Sequence, residues 1–156
     1  MSPSLQDELK KRGPFDSVEQ EAMLALMRTT DLLENRLARL FREYGLTLTQ
    51  YNVLRILRGE GKPMPCLEVA ERMIQVAPAI TRVVDQLQRL KLITKTQSDT
   101  DRRVFEIELT PAATKLLKRM DQPVLELLAS LLNSVKKSDL RSMIRTLEVV
   151  RSGVPA

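Results

Sequence analysis

The sequence predicts a mainly α-helical fold in which a single β-hairpin lies among the helices. Apolar residues recur with the 3.6-residue period of an amphipathic helix through most of the 156-residue chain. Only in residues 104–109 does the pattern change to the two-residue alternation of a half-buried strand. Hydrophobic residues make up 43% of the chain, which is enough to build a buried core.

The composition argues against an enzyme. The chain has no histidine, the commonest general base and the commonest metal ligand. Its single cysteine excludes a multi-cysteine zinc site, and its five glycines form no phosphate-binding loop. We therefore expect no catalytic residues, no metal and no cofactor. An enzyme that uses a carboxylate or a lysine in a cleft is an alternative that no motif supports.

Three features of the sequence indicate a cytoplasmic protein. No apolar run approaches the ~20 residues of a membrane span. The polar start of the chain lacks the apolar core of a secretory signal. One cysteine cannot build a disulfide framework, so a reducing compartment is the default.

The first 45 residues divide into an arm and a long helix. Residues 1–16 combine helix breakers with a basic cluster at 10–12, a pattern typical of a flexible basic arm. Ser17 can cap the following helix, with Gln20 completing a capping box. The helix within 17–45 carries an apolar stripe that consists of Met23, Leu26, Met27, Leu33, Leu37, Leu40, Phe41 and Tyr44.

Residues 46–110 are predicted to hold three helices and a hairpin. Thr47 or Thr49 can cap the first helix, and a short second helix follows at about 66–73. The third helix opens at Pro78, whose missing N–H would be unpaired at the first helical position in any case. Helices in this order form a helix-turn-helix.

The hairpin follows the third helix directly. Phe105, Ile107 and Leu109 alternate with polar residues, as expected for a strand with one buried face. Residues 92–96 are the expected partner strand, and a polar loop at 97–102 joins the two. A helix-turn-helix followed by such a hairpin is a winged helix-turn-helix domain.

Residues 111–152 are predicted to form two further helices. A Thr-Pro pair at 110–111 opens the first of them, and Pro123 should kink it. Ser138 can cap the second helix. The apolar stripes of 17–45 and 111–152 exceed what the winged domain alone can cover, so we expect these flanking long helices to form a dimerisation region.

Most of the positive charge lies in the winged domain. Residues 72–103 contain seven basic and three acidic side chains, a local charge of +4 out of +5 for the whole chain. The third helix presents small residues first and then long polar ones, as a helix that reads base edges requires. Its candidate DNA-binding residues are Pro78, Ala79, Thr81, Arg82, Gln86 and Arg89. The alternative for this surface is an ordinary solvated helix face.

Five short segments between residues 69 and 110 occur in an order and spacing that match a known family. They are Val69-Ala70-Glu71-Arg72, Ile80-Thr81-Arg82-Val83-Val84-Asp85-Gln86-Leu87, Leu92-Ile93, Asp99-Thr100-Asp101-Arg102-Arg103 and Leu109-Thr110. Together with the flanking helices, they closely resemble the MarR family of bacterial winged helix-turn-helix transcriptional regulators.

The resemblance implies a homodimer that binds a palindromic double-stranded DNA operator through two winged domains. It also implies that Arg102 or Arg103 enters the minor groove from the wing, oriented by Asp101. Asp85 would brace a wing arginine, for which Arg103 is the best match. A small anionic or aromatic effector is implied between the dimerisation and DNA-binding parts, with no residue assigned to it.

The chain departs from the family pattern at several positions. Lys91 replaces a usual glycine where φ tends to be positive, which would cost on the order of 1 kcal/mol unless the turn differs. Pro78 and Ala79 replace hydroxyl residues, which leaves the operator sequence open, and Ala113 replaces another glycine. The dipole of a short helix could lower the pKa of Cys66, but we expect an inert, packed thiol.

A winged-helix module that contacts another protein instead of DNA is the main alternative function. The concentration of positive charge in residues 72–103 argues against it. Binding to duplex DNA that weakens steeply as salt increases would identify the DNA-binding function, because contacts to phosphates depend on salt and contacts to a protein partner need not.

Overall fold

The computed structural model describes residues 3–75 and 79–155. Its helices are α1 (Leu5–Glu8), α2 (Val18–Glu43), α3 (Leu48–Glu60), α4 (Cys66–Glu71), α5 (Ile80–Arg89), α6 (Pro111–Leu132) and α7 (Lys137–Ser152). Its strands are β1 (Met64–Pro65), β2 (Ile93–Gln97) and β3 (Phe105–Leu109). The predicted start of α5 at Pro78 lies outside the described residues.

The chain divides into two compact units, residues 1–119 and 120–156. The first unit contains α1 to β3 and the beginning of α6, and the second contains the rest of α6 and α7. Within the first unit, the winged helix-turn-helix fold expected for 46–110 is confirmed. The predicted division into an arm, a DNA-binding region and dimerisation helices remains a prediction.

The core of the first unit lies between the helices of the winged domain and its sheet. Val53, Leu54 and Leu57 of α3 are buried, as are Val83, Val84 and Leu87 of α5. Met64, Ile93 and Ile107 contribute one buried side chain from each strand. In α4 the buried residue is Val69, whereas Leu67 is 73% exposed.

The wing, residues 93–109, is an antiparallel hairpin, as predicted, with its first strand one residue later than expected. Ile93 pairs with Leu109 at its base and Gln97 pairs with Phe105 at the start of its loop. A third strand, β1, adds to the edge of β3, with Met64 opposite Ile107. This strand was not predicted, because two residues beside prolines show no alternation, and Pro65 can occur in a strand only at an edge.

Two of the predicted helix starts differ in the structure. Ser17 accepts a hydrogen bond from the Gln20 N–H, but the Gln20 side chain bonds to Asp16, so the predicted capping box is incomplete. The last helix begins at Lys137, after Lys136, and has no side-chain cap at its start. Ser138 therefore lies inside its first turn rather than at its cap.

The start of α6 agrees with the sequence. Pro111 is its first residue, and the Thr110 hydroxyl accepts a hydrogen bond from the Ala113 N–H at 3.2 Å. The helix then runs through Pro123 to Leu132 as one element.

The turn between α5 and β2 places Lys91 at φ 58°, the positive value that its family position implied. The Leu92 and Lys91 N–H groups donate to the carbonyls of Leu87 and Gln88, each at 3.0 Å. This pair of bonds is a Schellman motif, whose left-handed position normally holds glycine. A lysine therefore occupies a strained backbone position where α5 joins the wing.

Candidate nucleic-acid interface

Helix α5 separates a buried apolar face from an exposed polar face. Val83, Val84 and Leu87 face the core. The exposed residues include the predicted Ala79, Thr81, Arg82 and Arg89, while Asp85 and Gln86 are half-buried. Pro78, the remaining predicted residue, lies outside the described part of the chain.

The basic side chains of this region differ in whether they have an acidic partner. An Arg72 nitrogen is 2.7 Å from Glu60 Oε2, and this hydrogen bond holds the pKa of Glu60 below its ordinary value. Lys95 pairs with Asp85. Of the seven basic side chains at positions 72–103, five form no ion pair with the described residues, and we call them the basic row: Arg82, Arg89, Lys91, Arg102 and Arg103.

The loop of the wing is shaped by the Asp101 carboxylate. Asp101 Oδ1 accepts a hydrogen bond from the Arg103 N–H at 3.0 Å, and its carbonyl accepts one from Val104 at 2.9 Å. The Gln97 amide donates to the Arg102 carbonyl on the other side of the loop. These bonds hold the backbone of both arginines and leave their guanidinium groups exposed. Asp101 thus acts on the loop backbone rather than on a guanidinium.

The structure changes the partner proposed for Asp85. Asp85 Oδ1 is 3.8 Å from Nζ of Lys95, on β2, and no ion pair joins it to Arg103 in the described residues. Lys95 lies opposite the buried Ile107, so its side chain leaves the sheet on the face that packs against α5. Arg103 belongs to the loop that precedes β3. Asp85 therefore contacts the wing through Lys95 and not through the predicted arginine.

Aromatic packing holds Lys95 in place. Its ammonium lies 4.6 Å from the ring centroid of Phe105, a cation–π distance. Its side chain is only 22% exposed. The alternation of Ile93 with Lys95 could have identified this inward direction, since residues two apart share a face of a strand.

Gln86 also has a partner that the sequence analysis missed. Gln50, near the start of α3, donates a hydrogen bond from its side-chain nitrogen to Gln86 Oε1 at 3.1 Å. Gln50 is 7% exposed, which is unusual for an amide side chain. The Thr47-x-x-Gln50 pattern was the available signal, because it is a capping box.

Cys66 lines a cavity of about 430 Å³ between α4, α5 and the wing. Burial raises the pKa of its thiol, and the nearby Lys95 only partly opposes that effect. This direction is opposite to the lowering that a helix dipole could cause, and it agrees with the inert thiol that we expect. Among the described residues no group of three acidic, cysteine or histidine side chains could hold a metal. No helix within them is both long and apolar enough to cross a membrane.

Residues 46–105 match the family model described as the MarR family. The transcriptional repressor MdtR of Bacillus subtilis is 30% identical over 61% of this chain and 61% of its own length. The chain spans 64% of the length of a second curated regulator from that species. It thus covers less than two thirds of these two relatives.

Solved structures resemble the chain over more of its length. The MarR transcription factor from Planctomyces limnophilus is 37% identical, with a TM-score of 0.67 over 87% of this chain and 99% of that one. The Staphylococcus aureus MepR–DNA complex matches at 18% identity and TM-score 0.75, over 83% and 96% of the two chains. The organohalide-sensing regulator RdhR, bound to 2,4-dichlorophenol, matches at 16% identity and TM-score 0.81, over 91% and 86%. The chain belongs to the MarR family.

Proposed function

We propose that the chain is a bacterial transcriptional regulator that binds a palindromic duplex DNA operator as a homodimer. The observation that carries the proposal is the basic row, five cations on α5, the turn after it and the wing that form no ion pair with the described residues. Side chains that neutralise phosphates release counterions from DNA, which provides binding free energy. Such a regulator would act in the cytoplasm, where the chromosome lies.

The proposal assigns α5 to the major groove. A helix N-terminus can approach the bases closely only if its first residues are small, as Ala79 and Thr81 are. Arg82, in the first turn, would then reach a guanine edge or a phosphate, and Arg89 would contact the backbone. Pro78 is included from the sequence alone.

The wing is assigned to the minor groove. Arg102 and Arg103 are exposed, and the hydrogen bonds around Asp101 hold their backbone in one loop conformation. The narrow minor groove attracts guanidinium groups by charge and shape rather than by a unique pattern of donors and acceptors. These arginines would therefore add affinity more than base specificity.

Homodimer formation is supported by apolar side chains that the single chain leaves exposed. In α2, Met23 is 55% exposed and Met27 is 61% exposed. In α7, Ile144 is 53% exposed, and the helix has no buried residue. Exposed apolar patches of this kind usually mark an interface. Two-fold symmetry of a dimer would require the palindromic operator.

We also propose that a small anionic or aromatic effector modulates DNA binding. The support is the fold shared with RdhR, which was solved with 2,4-dichlorophenol. All the relatives named above are transcriptional regulators or repressors, which agrees with the expectation that the chain is not an enzyme.

Fluorescence anisotropy with labelled duplex DNA of random sequence tests the proposal. We expect the logarithm of the binding constant to fall linearly with the logarithm of salt concentration, as displaced counterions require. Weak binding that does not depend on salt would contradict the assignment and favour a protein-interaction module.

A further inference from the structure

We infer that Gln50 is a positioning residue that turns the Gln86 amide so that its nitrogen, and not its oxygen, meets the DNA. The inference rests on the proposed function, since it concerns how α5 contacts an operator. Gln50 lies in α3, outside the basic row, so the inference assigns DNA recognition to a residue of a second helix.

The capping box at the start of α3 orients Gln50. The Thr47 N–H donates to Gln50 Oε1 at 3.0 Å, and the Gln50 N–H donates to the Thr47 hydroxyl at 3.1 Å. A backbone N–H can only donate, so the Gln50 atom that faces it must be the oxygen. The amide nitrogen of Gln50 therefore points away from the cap, toward Gln86.

The same logic then orients Gln86. The Gln50 nitrogen can only donate, so the Gln86 atom 3.1 Å from it must be the oxygen. Turning either amide over would place a donor against a donor. Gln50 is nearly excluded from water, so such a mismatch would leave a buried polar group without a partner.

The Gln86 nitrogen is left to face outward. It donates no hydrogen bond within the described residues. It is also not one of the buried side-chain atoms without a partner, which there belong to Asn52 and Gln75. The nitrogen therefore reaches solvent. Gln86 lies four residues after Arg82 and three before Arg89, so the three side chains share one side of α5.

A group that offers only N–H donors recognises hydrogen-bond acceptors. On duplex DNA these are the phosphate oxygens and, in the major groove, guanine O6 and N7, adenine N7 and thymine O4, of which guanine alone offers two adjacent acceptors. An unrestrained glutamine would instead pair with adenine, using its oxygen and nitrogen together. Between two arginines, Gln86 thus extends a surface that binds acceptors, and an outward oxygen there would oppose it.

Two substitutions reverse or remove the outward donor. Gln50→Glu retains the capping box, in which glutamate is a standard residue, but replaces the inner donor with an acceptor. The Gln86 amide should then turn over and present its oxygen. Gln86→Glu accepts from Gln50 and presents only oxygen. Gln88→Glu is the matched control, because it adds the same charge to an exposed position of the same helix.

The full-length variants are measured by anisotropy on random duplex DNA and by selection from a randomised duplex pool. We expect Gln50→Glu and Gln86→Glu each to weaken binding at least about 10-fold more than Gln88→Glu. A loss that is even across sequences identifies a phosphate as the acceptor. A loss confined to one base pair of each half-site, with guanine no longer preferred, identifies the base edge.

Other outcomes overturn the inference. Both variants binding like Gln88→Glu with unchanged preference would do so, as would a loss for Gln86→Glu alone while Gln50→Glu stays folded and binds like the control. If thermal melting shows that Gln50→Glu is unfolded at the assay temperature, the Gln86→Glu variant alone decides whether DNA binding needs an outward donor at position 86. A wild-type protein that does not bind duplex DNA would overturn the proposed function, whereas variants equal to the control beside normal wild-type binding overturn this inference alone.

Discussion

Lys91 is the clearest case of a residue whose backbone conformation is unfavourable for its side chain. Its φ of 58° lies in the left-handed region, and the two hydrogen bonds of the Schellman motif hold it there. In this conformation the Cβ of any residue other than glycine lies too close to the following carbonyl oxygen, which costs free energy. The resemblance to a family that has glycine here was sufficient to predict the positive φ.

Lys91→Gly should therefore stabilise the protein by about 1 kcal/mol, because glycine relieves the clash of the left-handed conformation. Urea unfolding measures the difference as a higher midpoint at an unchanged slope. Lys91→Ala is the control, since it removes the charge but keeps the Cβ, and it should not stabilise. An equal gain for both variants would attribute the effect to charge instead.

Arg82 and Arg102 should contribute differently to DNA binding. Arg82→Ala should weaken operator binding by ~1–3 kcal/mol and relax the preference at one base pair of each half-site. Arg102→Ala should weaken binding evenly across sequences and flatten the salt dependence by about one unit per wing. Anisotropy on operator and random duplexes across a salt series separates the two effects. Unchanged affinity for both folded variants would mean that the DNA-reading surface lies elsewhere.

At the scale of elements, the wing is joined to α5 by side chains of β2 rather than by its loop. Asp85 and Lys95 form the ion pair, and Phe105 covers the ammonium. Both charged side chains are partly exposed, at 44% and 22%, so solvent screens their attraction. The loop arginines remain available for a partner outside the chain.

A double-mutant cycle tests this connection. Asp85→Ala and Lys95→Ala should show a coupling of roughly 0.2–1 kcal/mol in the free energy of unfolding. The cycle of Asp85→Ala with Arg103→Ala is the matched control and should show additivity within about 0.5 kcal/mol. Coupling to Arg103 in place of Lys95 would restore the partner that the family resemblance implied.

The sequence alone predicted elements that have a regular pattern, but it did not predict contacts between residues that lie far apart in the chain. Alternation in 105–109 predicted β3, and the Thr-Pro pair at 110–111 predicted the start of α6. Two residues beside prolines could not predict β1. The Gln50–Gln86 contact spans 36 positions, and a capping box shows only that Gln50 serves the start of its own helix.

At the scale of the whole molecule, assembly should depend on the exposed apolar residues of α2 and α7. Met27→Asp or Ile144→Asp places a charge in the proposed interface without touching a buried core, so each should yield a folded monomer of about 18 kDa. Leu67→Asp makes the same change at a residue that is 73% exposed in α4, and the dimer should persist. Light scattering distinguishes these states. A wild-type monomer at micromolar concentration would contradict the homodimer.

The most direct test of the central claim is selection of bound sequences from a randomised duplex pool, with the stoichiometry of the selected complex measured alongside. A symmetric dimer with two α5 helices and two wings should select an inverted repeat whose half-sites lie about 10 base pairs apart. Two chains should bind each duplex. Enrichment of a single half-site with one bound chain, or no enrichment above the starting pool, would contradict the account.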